Sequence, residues 1–328
     1  MASLTGLWGI TFVLALIPSG LAVAWHFRAQ KRRALVGLAL SFSVGLLALG
    51  YGWARLAWAV PRPAVRVGLA VSDATVRYFN TEQPQQALQV AHAYARRIGE
   101  LAVRGARVIV LPEKFVGVTP ADVGDVTGVL REAARASGVA VVAGLNQIGI
   151  TRPRNTAFVF SPDGQVLAEY DKARLLPGEE SDYRAGAVPG LFRLFGAQWG
   201  VAICMDMDFP DWTRPYAKAG AGIVLVPAWD FVRDARFHAR PAIVRGVEDG
   251  FAVVRTAQKG LLTVSDHHGR ILAAAPSFRA SEVLLVSEVT PGPGHTLYGA
   301  MGDWFAWTAL LGLLFIVAKS MGGHRAAT

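Results

Sequence analysis

From Leu4 to Phe27 the chain carries no unambiguous charge; the first is Arg28. An apolar run of this length spans the ~30 Å hydrocarbon core of a bilayer as a helix, for which ~20 residues suffice. Pro18 and Gly20 are tolerable inside such a helix. A cleaved signal peptide is the weaker reading, because no basic segment precedes the run and the run is too long. Ala34 to Ala54 predicts a second span, closed by Tyr51, Trp53, Arg55 and Trp58 as interfacial anchors. Trp304 to Ala318 predicts a third and shorter one, which needs either Lys319 to snorkel at its end or the helix to extend past Met321. The mean hydropathy of +0.34 agrees with membrane segments joined to one sizeable domain.

Charge sets the expected orientation. Arg28, Lys31, Arg32 and Arg33 crowd a short loop between the first two spans, which places residues 28–33 in the cytoplasm. The expected domains are therefore 1–62 (two spans and the basic loop), 63–298 (an extracytoplasmic, periplasmic domain) and 299–328 (a third span and a short cytoplasmic tail). Pro61-Arg62-Pro63 reads as a stiff exit from the second span. The net charge of +9 is dispersed apart from that loop, which favours anionic lipid over nucleic acid as its counterpart.

The region between the spans alternates strand and helix patterns. Strands are expected at 66–72, 106–111, 139–144, 155–160, 166–171, 191–195, 199–203, 223–226, 251–256, 261–265, 270–274 and 282–289. Helices are expected at 85–103, 121–137, 211–219 and 236–248. This is an α/β domain of two packed sheets with outer helices. Pro291-Gly-Pro-Gly294 reads as a linker, and His267-His268 as an exposed turn without metal-ligand spacing.

Three residues each stand just after a predicted strand: Glu113, Lys172 and Cys204, the one cysteine of the chain. Active sites of α/β folds gather at carboxyl ends of strands. A carboxylate takes a thiol proton, and an ammonium stabilises a thiolate and an oxyanion. The N–H of Met205 offers a second oxyanion donor. Singly, each residue has a plainer structural use; together they form a working set.

Around these residues, LPEKF (Glu113), EYDKARLLPGEE (Lys172) and GVAICMDMDFP (Cys204) resemble the three catalytic boxes of the nitrilase, or carbon–nitrogen hydrolase, superfamily. The resemblance implies an αββα sandwich, a Glu–Lys–Cys triad and a thioester intermediate, with no cofactor and no metal. It also implies a supporting glutamate after Lys172; counting eight residues on gives Glu180, with Glu179 as its rival. PAWDF at 227–231, His238, and the end EVTPGPGHTLYGAMGDWFAW are similar to the apolipoprotein N-acyltransferase branch.

That branch moves an acyl chain from a phospholipid, through the cysteine, to the amine of a lipoprotein. Its members are integral inner-membrane proteins with the nitrilase-like domain outside the cytoplasm. The resemblance thus implies a phospholipid donor, a lipoprotein or other amine acceptor, and a monomer in the membrane. Trp229, His238 and Asp206 are the expected substrate contacts; Trp199, Trp212 and Phe231 are further aromatic candidates for an acyl pocket. The chain departs from the branch in having three spans where eight are usual, Met205-Asp206 where Tyr-Glu is common, and a shorter loop before His238. The alternatives are a tethered amidase, in which water resolves the thioester, and a non-enzymatic lipid- or partner-binding domain.

Overall fold

The computed structural model describes residues 1–58 and 63–325. It divides into two compact units. The first holds helices α1 (Ala2–His26), α2 (Lys31–Ala57), α7 (Leu297–Met301) and α8 (Trp304–Arg325), and the second holds every element between α2 and α7.

In the helical unit, Ala2–His26, Lys31–Ala57 and Trp304–Met321 are long and apolar enough to cross a membrane. Their large side chains face outward, as at Leu47 (74% exposed) and Leu14 (67%), which water would penalise and lipid would not. Helix α1 breaks at Gly6, whose φ of +63° suits glycine, and a Cβ there would meet the Tyr298 ring. Asp303 accepts from both the Trp8 indole (3.0 Å) and the Tyr298 hydroxyl (2.8 Å), pinning α1 to the chain before α8.

One expectation is corrected here. The basic loop is only residues 27–30: Lys31, Arg32 and Arg33 form the first turn of α2, since Lys and Arg are good helix formers. Of the two forms expected for the third helix, the longer one is found: it extends past Met321 to Arg325. The stiff exit at residues 61 and 62 lies outside the described residues.

The α/β unit has two sheets. In the first, the order is β13 (Glu282–Val289), β1 (Val65–Ser72), β2 (Val108–Val110), β4 (Ala140–Gln147), β5 (Arg154–Phe160) and β6 (Val166–Asp171), with β3 (Val116–Val118) beside β4. In the second it is β12 (Ile271–Pro276), β11 (Leu261–Ser265), β10 (Ala252–Gln258), β9 (Ile223–Trp229), β8 (Ala197–Val201) and β7 (Gly190–Leu194). The central strands run parallel: β1 with β2, β2 with β4, β8 with β9, and β9 with β10. Parallel strands buried on both faces explain the nearly unbroken apolar runs in these stretches.

Alternation sorts each strand between two cores. Val67, Leu69, Val108, Val110 and Val142 meet Val201, Leu225 and Val254 between the sheets. Ile109, Val141 and Ala143 face the other way, under α3 (Pro84–Val103) and α4 (Val123–Ser137). Val224, Val226 and Val253 lie beneath α5 (Pro210–Lys218) and α6 (Ala235–Asp249). The result is helices, sheet, sheet, helices.

Element ends differ from the expectations mainly at the site. The strand before the cysteine stops at Val201, and a 3₁₀ turn, Cys204–Asp208, intervenes before α5. The Pro-Gly segment is no free linker: the N–H groups of Gly292 and Gly294 donate to the carbonyls of Gly222 (2.8 Å) and Gly250 (2.9 Å). His267 and His268 are half-buried rather than exposed, because their turn packs beside α6, with Val247 3.0 Å from where a Gly269 Cβ would stand.

Candidate active site

Glu113 follows β2 where that strand meets the second sheet. Its N–H donates to Ala228 O at 3.4 Å, and Thr256 donates to Val110 O at 3.0 Å. The Pro112-Glu113 backbone lies against Gly144 of β4, where a Cβ would stand 2.5 Å from Pro112 O. Any larger residue there would push Glu113 out of place. Lys172 follows β6, its N–H held by Asn155 O (2.8 Å). Cys204 sits after the extended residues Ala202 and Ile203, at φ +44°. A left-handed non-glycine residue costs about 1–2 kcal/mol, which the packed elements on either side must hold.

The three expected residues converge. Lys172 Nζ donates to Glu113 Oε1 and to Glu180 Oε2, each at 2.8 Å. All three side chains are buried. Cys204 Sγ lies 3.5 Å from Trp229 O and opens, with Met205, onto the same cavity as Glu113 and Lys172. That cavity has a volume of about 190 Å³. Trp229, Phe231 and His238 line its outer part. His238 stands in the first turn of α6.

Of the two glutamates after Lys172, the buried one is Glu180. It accepts from Lys172, Lys114 (2.8 Å), the Asn155 carboxamide (2.7 Å) and Leu176 N (2.9 Å). Glu179 lines the cavity but is exposed. Asp206 is not a substrate contact. It is fully buried, and its oxygens accept from the Tyr170 hydroxyl (2.6 Å) and the N–H groups of Ile203 (2.9 Å), Ala173 (3.1 Å) and Arg174 (2.7 Å). It ties the cysteine turn to the chain just after Lys172. Trp199 is core, and Trp212 donates to Tyr170 at 2.9 Å; neither lines the cavity.

Sequence reasoning missed three contributors. Asn155 Nδ2 bridges Glu113 Oε1 (2.6 Å) and Glu180 Oε1 (2.7 Å). Two carboxylates fix its amide orientation, since the oxygen would be repelled there. Asn155 lies in the polar opening of β5, between Arg154 and Thr156, ahead of the apolar run AFVF. Lys114, next to Glu113, adds a second ammonium on Glu180. Arg255 forms a buried bidentate pair with Asp230 at 2.9 and 2.6 Å beside the cavity.

The electrostatics separate the roles. Burial, and next the Glu113 carboxylate, push the Cys204 thiol up to about 12, so the resting group is a neutral thiol that needs a base. Glu113 Oε2 is buried and has no partner among the described residues, so it can receive that proton. Burial opposes the Lys172 ammonium, but Glu113, Cys204 and Glu180 outweigh it and hold its pKa above the ordinary value. Burial likewise opposes the Glu180 carboxylate, yet Lys172 and Lys114 hold it at about 2. The set can activate a thiol against a carbonyl carbon and keep a cation beside the developing oxyanion. No group of His, Cys, Asp and Glu placed to hold a metal occurs among the described residues.

A cysteine at a strand-end turn beside a buried Glu–Lys pair, within an αββα sandwich, defines a carbon–nitrogen hydrolase type of site. Residues 69–290 match the carbon–nitrogen hydrolase family, and the chain belongs to it. The apolipoprotein N-acyltransferase of Geobacter metallireducens is 25% identical over 348 residues, covering 97% of this chain and 66% of that protein. The chain thus spans just under two thirds of that relative. The 2-oxoglutaramate amidase of Bacillus subtilis is 33% identical over 110 residues, or 32% of this chain and 42% of that one. Among solved structures, an amidase from Nesterenkonia sp. shares the fold with a TM-score of 0.60 and 24% identity, covering 70% of this chain and 92% of its own.

Proposed function

We propose that this protein is a membrane-bound N-acyltransferase that carries its acyl group on Cys204. Glu113 takes the thiol proton as sulfur attacks the ester carbonyl of a phospholipid. The carbon–oxygen bond breaks, and the proton passes to the departing lysophospholipid alkoxide. An amine then attacks the thioester; nitrogen gains the acyl group, and sulfur leaves as the thiol. Lys172 and the Met205 N–H stabilise the oxyanion in both halves, and Glu180 holds Lys172. Trp229 and His238 border the substrate. The acceptor is the N-terminal amine of a lipoprotein, and the domain works as a monomer on the periplasmic side of the inner membrane.

The observation that carries this reading is that relatives named as apolipoprotein N-acyltransferases align with the whole chain, apolar helices included, and not with the catalytic unit alone. A tethered amidase is the second reading. The cavity favours it, since about 190 Å³ is below the ~300–1,000 Å³ usual for drug-sized ligands.

Intact-mass spectrometry of protein purified with native lipids separates the two. A fatty-acyl adduct on Cys204, released by hydroxylamine, is the expected result. A free thiol in a protein that hydrolyses small amides would replace transfer with hydrolysis.

A further inference from the structure

We propose that Asp208 and Glu179 form a receptor for an ammonium group at the mouth of the Cys204 cavity, so that the site selects substrates bearing a primary amine. The inference rests on reading this cavity as the reaction site, and it names the acceptor's charge.

Lys114, Lys172 and Arg255 are the fixed cations lining the cavity, and Glu113, Glu179, Glu180 and Asp208 are its carboxylates. Lys172 and Lys114 are matched by Glu113 and Glu180. Arg255 is matched by Asp230, which stands behind it. Glu179 and Asp208 remain, and neither forms an ion pair within 4.0 Å among the described residues. Burial raises the Asp208 carboxyl above its ordinary value, and Arg255, His238 and Arg245 offset this only in part; Arg245 is itself bound to Glu248 at 2.7 Å. The cavity thus has two carboxylates on its lining, Asp208 and Glu179, that form no ion pair among the described residues.

A second observation points to the same ligand. Glu113, which is 1% exposed, lines this cavity, and its Oε2 has no hydrogen-bond partner among the described residues. An ammonium entering this cavity meets three carboxylate-bearing residues on its lining: Asp208, Glu179 and Glu113. Trp229 and Phe231 on the same wall offer aromatic rings, which also attract cations. Once Glu113 has returned its proton to the leaving group, it is again a carboxylate on the cavity lining that can take a proton from the amine. The two mouth carboxylates bind; they are not catalytic. A neutral amide gains nothing from them.

The test uses full-length protein in detergent carrying Cys204→Ala, so that no turnover intervenes. Binding of 4-aminobutanamide and butanamide is compared by saturation-transfer NMR at low salt. The ammonium probe is expected to bind about five- to tenfold more tightly, as for two partly exposed charge pairs. That preference should fall with added salt, and vanish in Asp208→Asn/Glu179→Gln, whose thermal melting checks the fold. Equal affinities for the two probes, or a preference that survives the double substitution, would overturn the proposal. Acylation of the Cys204 protein by p-nitrophenyl butyrate is measured separately. Its failure would remove the thioester reading and leave the binding result standing.

Discussion

At the floor of the cavity every charged group has a partner, whereas at its mouth two carboxylates and a 51%-exposed phenylalanine ring, Phe231, face solvent. The floor is assembled from strand ends on both sheets: Glu113 after β2, Lys172 after β6, Cys204 after β8 and Arg255 on β10. The mouth comes from turns, at Glu179, Asp208 and Phe231. Charges removed from water must be matched, because an unmatched ion in a buried site costs several kcal/mol. Charges at a rim carry no such demand and remain free to meet a ligand. The difference teaches that the floor's charges are tied to partners within the fold, while the mouth's carboxylates are held by no ion pair among the described residues.

The comparison breaks first at the nucleophile. Cys204→Ala should abolish any acyl adduct, and Asp208→Asn should not. A Cys204→Ala protein that still releases p-nitrophenol from p-nitrophenyl butyrate in a burst would remove the floor from the chemistry altogether. Glu113→Gln comes next. It keeps the bonds from Lys172 and Asn155 within reach but removes the proton acceptor from a thiol raised to about 12. Acylation should slow by about 10²- to 10⁴-fold, the usual worth of a general base. Rapid-quench measurement of the same burst checks it, and a loss below tenfold would assign the base elsewhere.

The floor was the legible part of the sequence. Glu113, Lys172 and Cys204 each end an apolar run, and the strand-end rule brings such residues together. The two-sheet architecture followed from the alternation of strand and helix patterns. Asn155 was not legible, because its function depends on lying opposite two carboxylates from distant loops. Glu180 was partly legible: counting eight residues on from Lys172 picks it over its neighbour Glu179, and it is the one that turns inward onto Lys172. Asp206 was misread for the opposite reason. An acid beside a nucleophile suggests substrate, but the 3₁₀ turn directs it inward, onto Tyr170 and three backbone N–H groups.

Glu180→Gln tests how far the matched charges support the fold. The substitution leaves Lys114 without its carboxylate and Lys172 with Glu113 alone. Breaking a buried ion-pair network costs about 3 kcal/mol or more. For a domain of this size that lowers the melting temperature by roughly 10 °C. Differential scanning fluorimetry in detergent measures it. Glu179→Gln should leave the melt within about 1 °C, and equal losses from the two variants would erase the distinction between floor and mouth.

Asp206 gives the smallest effect and the finest test, because its signature lies in pH. Burial raises its carboxyl from the ordinary 3.8 to about 6, against the pull of the bonds from Tyr170, Ile203 and Arg174. Between pH 4 and 6 the folded state therefore holds a proton that the unfolded chain has lost. Stability contributed by such a group is present at pH 4 and declines as pH rises to about 6. Glu180, held at about 2, acts in the opposite sense, and its stabilisation is lost only as pH falls below about 4. Asp206→Asn removes the first dependence and leaves the second. At pH 7 the variant should lose about 1–2 kcal/mol, since an amide nitrogen facing the Tyr170 or Ile203 donors cannot accept. Its deficit relative to the unsubstituted protein should widen as pH falls from 6 to 4. Asp249, also raised to about 6 by burial, keeps part of the slope in both proteins, so only the difference between their melting curves is diagnostic. Parallel curves across that window would mean that Asp206 is ionised without penalty and that the turn behind Cys204 is wetter than its packing implies.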